Sequence, residues 1–286
     1  MNATDSRLRQ FRSRLGVVRR RLQPRQRQIE SNLHVRVPRG PHEPDSVWAV
    51  SMVRDEGDVV GSTITHLLDQ GVAGIVVVDN GSTDDTVAVL QDHARRSPRV
   101  HVGTDTLAEF YQGEKLSYLA HLARRGGAGW IIPFDADEHW YAPRGTLATW
   151  LPAIDEPVVQ CAIRDAGPLP GQAAIDLRRY LLDIEPTDWW KIAFRSRDWV
   201  WIGAGNHSCS LRGPRATGLE LHHFQYRSFE QFERKTRQGA EAVLRTAGLP
   251  DDEAIHWKRI ASMSHEERWD EWLRLCDRPD REVFER

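Results

Sequence analysis

Cysteine is scarce in this chain, with three residues in 286, at Cys161, Cys209 and Cys276. They lie far apart and form no C-x-x-C pair, so the sequence predicts neither a disulfide framework nor a thiolate zinc site. Long apolar runs are also missing. None approaches the roughly 18 to 20 residues that cross a bilayer, and the first residues lack the apolar centre of a signal peptide. We therefore expect a cytoplasmic protein that is neither secreted nor integral to a membrane.

The apolar content that is present, 40% of the residues, is enough for a sizeable core. A chain of this length forms one large α/β domain or two modest ones. The formal net charge is −2, but residues 1–28 carry nine arginines against one acid, Asp5, which leaves −10 for the remainder. An acidic body without a recognisable nucleic-acid module argues against a nucleic-acid partner.

The arginine-rich segment also has an apolar stripe, formed by Leu8, Phe11, Leu15, Val18 and Leu22. Steps of three and four residues place this stripe on one face of a helix, with arginines on the other. This pattern is typical of a helix that lies on an anionic membrane surface, which would make the protein peripheral at the inner membrane face. A disordered arm and a helix docked on its own protein are the alternatives.

Strands and helices alternate after a Pro- and Gly-containing linker over residues 36–46. A parallel sheet covered by helices on both faces follows from this order. We expect Gly71 to end the first helix and Ser82 or Thr83 to cap the second. The predicted strands are 47–53, 74–80, 99–103 and 130–134, and the predicted helices are 58–70, a segment ending near residue 96, and 113–125.

The second half of the chain is aromatic and β-prone without intervening helices, which predicts an antiparallel or mixed arrangement. Two helical tracts then close the chain. The predicted organisation is a basic amphipathic segment, a linker, an α/β domain and a C-terminal helical annex, with the bounds 1–35, 36–46, 47–227 and 228–286.

In the stretch "WIIPFDADEHW", residues 130–140, an apolar strand is followed directly by three carboxylates, Asp135, Asp137 and Glu138. We expect cations to lie there. Carboxylates two residues apart point the same way in extended backbone, so Asp135 and Asp137 can converge on one cation. Oxygen ligands of this kind suit Mg²⁺ or Mn²⁺. Because carboxylates crowd at this strand end, we expect Asp137→Asn to hold or raise the melting temperature.

Two other strands deliver polar residues to the same predicted edge of the sheet. The segment "SMVRDEGD" and the segment "VVVDNGSTDDT" both follow apolar runs. Ligands of open α/β sheets bind at the carboxyl ends of the strands. The residues in question are Arg54, Asp55, Glu56, Asp79 and Asn80.

Over residues 47–140 these segments resemble glycosyltransferase family 2, whose nucleotide-diphospho-sugar transferase domain has the GT-A fold. Further on, "HHFQYRSFEQFERK" resembles a branch of the family in which the core is followed by a His, an Arg-Ser pair and a Lys-bearing helix. The resemblance implies a mainly parallel sheet flanked by helices, with a mixed β region and C-terminal helices. It also implies transfer of a sugar from a UDP- or GDP-sugar to a saccharide or lipid-linked acceptor.

The same resemblance implies a role for each strand-end residue. Asp79 would contact the nucleotide base, with Arg54, Asp55 and Glu56 lining the base and ribose pocket. Asn80, next to Asp79, is a further candidate for binding the nucleotide. Asp135 and Asp137 would hold Mn²⁺ or Mg²⁺ on the diphosphate. Lys115 stands at a helix start that faces the donor in relatives, where an ammonium would suit phosphate oxygens.

Two roles are less well defined by the sequence. A third metal ligand is expected from "LELHHFQY", where strand alternation lets only one of His222 and His223 face the site. We favour His223, which directly precedes an aromatic residue and the Arg-Ser pair, with His207 as a further candidate. For the base that deprotonates the acceptor hydroxyl, Asp188 is the first candidate and Glu185 the second.

Two other functions are alternatives to sugar transfer. A nucleotidyltransferase would ordinarily place a Gly-rich phosphate loop after the first strand, where this chain has the acidic "RDEGD". A non-catalytic carbohydrate- or nucleotide-binding protein of the same fold would have no need to keep Asp79, Asp135 and Asp137.

Overall fold

The buried apolar segments predicted as strands form the centre of one mixed sheet. The computed structural model describes residues 23–245 and 255–285. The strands are β1 Leu33–His34, β2 Val47–Val53, β3 Gly74–Asp79, β4 Val100–Asp105, β5 Trp130–Pro133, β6 Glu138–Tyr141, β7 Val158–Gly167, β8 Arg179–Asp183, β9 Trp190–Arg195, β10 Arg215–His223 and β11 Arg281–Glu285. The α-helices are α1 Pro24–Asn32, α2 Val60–Asp69, α3 Thr86–Arg96, α4 Gln112–Gly126, α5 Leu147–Trp150, α6 Phe229–Arg245, α7 Ile255–Ala261 and α8 His265–Cys276.

The first half of the sheet is parallel, as predicted. Strand β2 pairs in parallel with β3 and β5, and β3 pairs in parallel with β4. All six residues of β3 are buried, which explains its unbroken apolar run, since a strand covered on both faces has no polar side. Gly71 ends the α2 segment with a φ of 78°, the left-handed conformation predicted for it. The carboxyl ends of β2, β3 and β5 therefore share one edge.

The second half of the sheet is mixed. Strand β9 is antiparallel to both β5 and β7, whereas β10 is parallel to β7 and antiparallel to β6. The order along the sheet is β1-β4-β3-β2-β5-β9-β7-β10-β6, and β8 joins β7 to β11 at the side. This topology confirms the predicted α/β class with a mainly parallel sheet, flanking helices and a mixed β region.

The segment before β2 lies against the α4 side of the sheet. Helix α1 contacts α4, and β1 pairs antiparallel with β4. The predicted linker follows the end of α4, where the Gly40 amide donates to the Arg125 carbonyl at 3.1 Å and the Glu43 amide donates to the Gly127 carbonyl at 2.8 Å. The apolar stripe of the arginine-rich segment, residues 8–22, lies outside the described residues, so its helical face stays a prediction. The predicted domain bounds also stay predictions.

The C-terminal tracts are helical, as expected, and they end in a strand that the sequence did not indicate. Helices α6 and α8 pack through a small core that includes Phe232 and Trp272. Ser264 begins α8 with a capping box, in which its hydroxyl accepts from the Glu267 amide. Strand β11 then pairs with β8. Across residues 23–245 and 255–285, no helix combines the length and apolarity that crossing a membrane requires.

Candidate active site

The loop after β2 is fastened to the loop after β3. Asp55 has a φ of 53°, and its carboxylate accepts a hydrogen bond from the Thr83 amide at 2.6 Å. The Asp55 amide donates to the Ser82 hydroxyl at 2.9 Å. Gln238 of α6 donates to the other Asp55 oxygen at 2.7 Å. Asp55 therefore holds together two strand ends and the C-terminal annex.

The cap predicted for the second helix, Ser82 or Thr83, is wrong. Helix α3 begins at Thr86, and neither Ser82 nor Thr83 caps it, because the hydroxyls of both residues bond to Asp55 instead. Ser and Thr are typical both of helix N-caps and of loops, so the sequence does not distinguish the two roles. In this structure both hydroxyls hydrogen-bond to Asp55, which is distant in sequence, and neither caps the helix.

Asp79 and Asn80 shape the turn that leaves β3. The Asp79 carboxylate accepts the Gly81 amide at 3.1 Å and the Ser82 amide at 3.2 Å. The Asn80 amide group donates to the carboxylate of Asp105 and to the carbonyl of Leu107, both at 2.8 Å. Both side chains are largely buried. Their predicted contacts with the nucleotide stay predictions.

Lys115 lies inside the protein rather than on the surface of the site. Its side chain is 0% exposed, and its ammonium lies 2.6 Å from a carboxylate oxygen of Asp105 and 2.6 Å from the Leu107 carbonyl. Burial lowers the pKa of Lys115, although the Asp105 charge opposes this effect. Its predicted contact with donor phosphates stays a prediction, and in this structure the amine has two buried partners instead.

Asp135 contacts side chains from α4, from β9 and from the loop after β9. Its Oδ2 lies 2.5 Å from the Lys191 ammonium, and its Oδ1 accepts from Gln112 at 3.1 Å and from Asn206 at 3.2 Å. Lys191 also lies 3.0 Å from the buried carboxylate of Glu138. Burial would lower the pKa of Lys191, but the charges of Asp135 and Glu138 raise it well above its usual range. This side of the site is a lysine shared by two carboxylates.

Asp137 faces the C-terminal annex and is more deeply buried, with 2% of its side chain exposed against 29% for Asp135. Its Oδ2 contacts the Lys235 ammonium and lies 3.8 Å from both the Arg227 guanidinium and the His223 ring. Burial alone would raise the pKa of Asp137, but the charges of Lys235, His223 and Arg227 lower it well below its usual range. Asp137 is therefore a buried carboxylate whose cationic neighbours favour its ionised form.

A second set of contacts fixes the Arg227 side chain. It donates to the two Asp58 oxygens at 2.7 and 2.8 Å, to the Phe224 carbonyl at 3.0 Å, and to Glu56. Lys235 lies 3.1 Å from the other Glu56 oxygen. Arg54 is more open, with its Nε 3.8 Å from Asp55 Oδ2. Glu56, predicted to line the donor pocket, is thus tied to the same cations as Asp137.

Cations lie at the three carboxylates, as expected, but Asp135 and Asp137 do not share a lysine. Their predicted convergence on one divalent cation stays a prediction. The chain turns at residues 136–137 instead of continuing extended, so the two carboxylates meet different lysines. The expectation that Asp137→Asn holds or raises the melting temperature loses its basis, because Asp137 is surrounded by positive charge rather than by other carboxylates.

Strand alternation separates the two histidines of β10. His223 Nε2 lies 3.8 Å from Asp137, and its Nδ1 lies 3.1 Å from Asp165. His222 points the other way, where a 2.7 Å hydrogen bond joins it to the Tyr180 hydroxyl. His207 bonds to the Trp190 carbonyl at 2.6 Å through its Nδ1. The structure therefore brings His223 next to Asp137 and leaves His222 in an aromatic cluster.

The two candidate bases lie on the exposed loop that leads into β9. Asp188 and Glu185 are both exposed, and Asp188 precedes Lys191 by three residues. Trp189, 66% exposed, stands beside them with its ring 5.3 Å from that of His207. The catalytic role of Asp188 and Glu185 stays a prediction.

The donor set of this edge fits a hard divalent cation in its chemistry. Asp135 and Asp137 offer carboxylate oxygens and His223 an imidazole nitrogen, a combination that Mn²⁺ and Mg²⁺ accept. The arrangement differs from a preformed centre. Within residues 23–245 and 255–285, no three His, Cys, Asp or Glu side chains are grouped so that they could hold a metal ion. The lysines at the two aspartates account for this, since each carboxylate is turned toward its own ammonium.

A family model identifies the family from the sequence of the α/β domain. The model of glycosyl transferase family 2 matches residues 49–210, which is more than half of the chain. The chain belongs to glycosyl transferase family 2. It is a nucleotide-sugar glycosyltransferase with the GT-A fold, as the resemblance of its motifs predicted. Family membership favours sugar transfer over the nucleotidyltransferase and non-catalytic alternatives.

Several solved structures are similar to this glycosyltransferase. The mannosyltransferase PcManGT from Pyrobaculum calidifontis, in complex with GDP-Man and Mn²⁺, shares 14% identity over 87% of this chain and 79% of its own, with a TM-score of 0.43. Residues 1–349 of S. aureus TarS share 13% identity over 80% and 73%, with a TM-score of 0.39. Glucosyl-3-phosphoglycerate synthase from Mycobacterium tuberculosis, in complex with Mn²⁺, UDP and glucosyl-3-phosphoglycerate, shares 19% identity over 42% and 44%, with a TM-score of 0.32. No curated protein sequence matches the chain.

Proposed function

We propose that this glycosyltransferase moves a sugar from a UDP- or GDP-sugar to a saccharide or lipid-linked acceptor, with Mn²⁺ or Mg²⁺ at Asp135 and Asp137. One observation carries the proposal. The loops after β2, β3 and β5, which are neighbours in the sheet, place three buried carboxylates, Asp55, Asp79 and Asp137, at one edge. Helix α6 closes over this edge, where Gln238 donates to Asp55 and Lys235 contacts Asp137. Such an edge is where open α/β sheets bind ligands.

The loops after β2 and β3 would hold the nucleoside. Asp79 is assigned to the base, with Arg54, Asp55, Glu56 and Asn80 around the base and ribose. Support comes from the way Asp55 ties the two loops through Ser82 and Thr83, because a pocket between fixed loops loses little conformational freedom on binding. Arg54, which is partly exposed, is the side chain of this group best able to meet a ligand. The buried Lys115 would act by stabilising Asp105 and Asn80.

The metal would be held by Asp135, Asp137 and His223. When bound, it supplies positive charge that stabilises the diphosphate leaving group. The chain's own residues prepare for that charge: Asp137 stays ionised through its cationic neighbours, and Asp165 fixes the ring of His223 through a 3.1 Å hydrogen bond. A partner on the second ring nitrogen is the usual way of orienting a histidine ligand.

A cavity of about 320 Å³ next to Asp135 is the proposed acceptor site. Gln112 lines this cavity and donates a hydrogen bond to Asp135, so one side chain connects the cavity to the carboxylates of the sheet edge. Phe110 and Trp201 give it aromatic walls, and aromatic faces suit sugar rings. Asp188, with Glu185 second, is the proposed base that takes the acceptor proton.

A panel of nucleotide sugars tests the proposal. Release of nucleoside diphosphate would be measured for UDP- and GDP-sugars with Mn²⁺, with Mg²⁺ and with chelator, and Asp137→Asn serves as the control for contaminating activity. We expect turnover of at least one donor, dependent on metal and lost in Asp137→Asn. Turnover that is unchanged by chelator would remove the metal from the proposal, and no turnover of any donor would contradict the nucleotide-sugar assignment.

We also propose that residues 1–28 attach the enzyme to an anionic membrane surface. The support is the sequence pattern, nine arginines opposite an apolar stripe, at about 1 kcal/mol per basic residue near such a surface. Full-length protein should float with anionic liposomes, and salt should weaken this binding. A version starting at Val35 should remain in solution. Equal flotation of both versions would contradict the proposal.

A further inference from the structure

The lysine of the C-terminal helix lies where a metal ion would have to bind. Lys235 contacts Asp137 Oδ2, the oxygen that also lies nearest the His223 ring. The two residues are 98 positions apart in sequence, so this contact depends on α6 packing over the carboxyl ends of the strands. From this geometry we propose that Lys235 and a divalent cation compete for Asp137, so that metal binding displaces the lysine. The inference rests on the proposed metal dependence.

Repulsion is the physical reason for the competition. A cation held by Asp137 Oδ2 and His223 would stand within a few ångströms of the Lys235 ammonium. Two positive charges at such a distance repel strongly where water does not screen them, and Asp137 is 2% exposed. The ammonium must therefore withdraw before the carboxylate can accept a divalent ion.

Lys235 can withdraw, whereas Arg227 cannot. Arg227 is 5% exposed and is fixed by Asp58, Glu56 and the Phe224 carbonyl. Lys235 is 19% exposed and stands on a flexible four-carbon stem. It already lies 3.1 Å from Glu56, which would remain its partner after it leaves Asp137. The ammonium thus has a second carboxylate within reach, and the exchange leaves no buried charge unpaired.

The competition makes Lys235 a positioning residue with a measurable effect on metal affinity. Replacing it by a neutral side chain removes the competitor, so the metal should bind more tightly even though the protein itself becomes less stable. A lysine with a purely structural role would lower stability and leave the metal affinity unchanged. Lys235→Arg keeps the charge and should keep the wild-type affinity or weaken it.

Calorimetric titration of the full-length protein with MnCl₂ tests the inference. Lys235→Met should bind Mn²⁺ at least about tenfold more tightly than the wild type, because a like charge has been removed from the site. Arg237→Met is the matched control, since it removes a positive charge from an exposed position of the same helix and should leave the affinity within about twofold. Lys235→Gln, which can still donate a hydrogen bond to Asp137, replaces the Met variant should the latter fail to fold.

Melting curves add a second measurement. Lys235→Met should melt below the wild type without metal and should recover more than the wild type does when Mn²⁺ is added. Measurable Mn²⁺ binding with equal affinity in the wild type and the Met or Gln variant would overturn the competition alone. No Mn²⁺ binding by any version, with GDP or UDP present, would overturn the proposed metal dependence and this inference together.

Discussion

Asp135 and Asp137 are separated by one residue, yet they belong to different parts of the molecule. The partners of Asp135 are Gln112, Lys191 and Asn206, which all lie within the family-matched residues 49–210. The partners of Asp137 all lie beyond that region: His223, Arg227 and Lys235. The surroundings of Asp135 are therefore built by the family-matched core, and those of Asp137 by the chain beyond it: the end of β10, the turn after β10 and the annex helix α6.

This difference indicates that the annex completes the site rather than merely following it. Without α6 and the segment before it, Asp137 would be a carboxylate at an open strand end. With them it is a buried ion whose charge is matched by three cationic groups. The core supplies the position of the carboxylate, and the annex sets its electrostatic environment. Changes on the two sides should accordingly have different consequences.

The largest expected effect is that of Asp137→Asn. Loss of the carboxylate should reduce metal-dependent turnover by about 100-fold. It should also cost about 3 kcal/mol of unfolding free energy, because His223, Arg227 and Lys235 all lose a buried charge partner and Lys235 keeps only Glu56. Asp135→Asn should cost about 1 kcal/mol, since Lys191 keeps Glu138. Urea unfolding of both variants measures the difference, and an Asp137→Asn protein as stable as the wild type would contradict it.

Lys191→Met tests the core side of the comparison. Glu138, 0% exposed, would lose its ammonium and keep only hydrogen bonds from the Asp135 amide and the Trp140 ring, at a cost of about 3 kcal/mol.

The cost should depend on pH. Burial raises the pKa of Glu138, an effect that the Lys191 charge now opposes. In the variant the folded carboxyl holds its proton more tightly than the unfolded one, so stability should fall as pH rises through the carboxyl range. Unfolding measured near pH 5 and near pH 8 shows this; a pH-independent loss would mean that Glu138 is not the group left unpaired.

The two adjacent histidines of β10 separate function from stability. His223→Ala should lower metal-dependent turnover by about 10- to 100-fold, because it removes a side chain facing Asp137. His222→Ala should mainly cost stability, about 1 to 2 kcal/mol, through the lost hydrogen bond to Tyr180. Turnover and melting temperature of both variants provide the measurement. Equal, mild losses of activity would place the third ligand elsewhere, with His207 next to test.

The smallest expected effect comes from destabilising α8, a helix of the annex that lies away from the carboxylates of the site. Ser264→Ala removes the cap of α8, which packs on α6, and should cost about 1 kcal/mol. Ser264→Thr should retain the cap. Melting temperature would report the loss, and turnover at a temperature well below the transition should stay near the wild-type value. A large loss of turnover in the folded variant would mean that α8 acts on the site more directly than its contacts indicate.

The parallel half of the fold could be predicted because its signals are local. Continuous apolar runs became strands, with β2 matching its predicted bounds and β3 and β5 each ending one residue earlier. The glycine that ends α2 was equally clear, since φ of 78° suits glycine best. What the sequence could not decide was the competition for hydroxyls, where Ser82 and Thr83 bond to Asp55 rather than cap α3.

The cations of the site could not be assigned from local pattern. Lys191 lies 56 positions from Asp135 and Lys235 lies 98 positions from Asp137, and only the packing of β9 and α6 brings them together. Two of these cations, Arg227 and Lys235, do stand in a sequence motif, the Arg-Ser pair and the Lys-bearing helix. The motif does not indicate which carboxylates they contact. Likewise, nothing local indicates that Lys115 pairs with Asp105 in the interior.

Nucleotide binding measured with and without metal tests the central claim most directly. The melting temperature of the full-length protein would be recorded with UDP or GDP, in the presence of Mn²⁺ and in the presence of chelator. At about 100 times the dissociation constant, binding contributes about 2.7 kcal/mol and should raise the melting temperature by several degrees. We expect that rise for at least one of the two nucleotides with Mn²⁺ and a much smaller one with chelator. No rise for either nucleotide under both conditions would contradict the account.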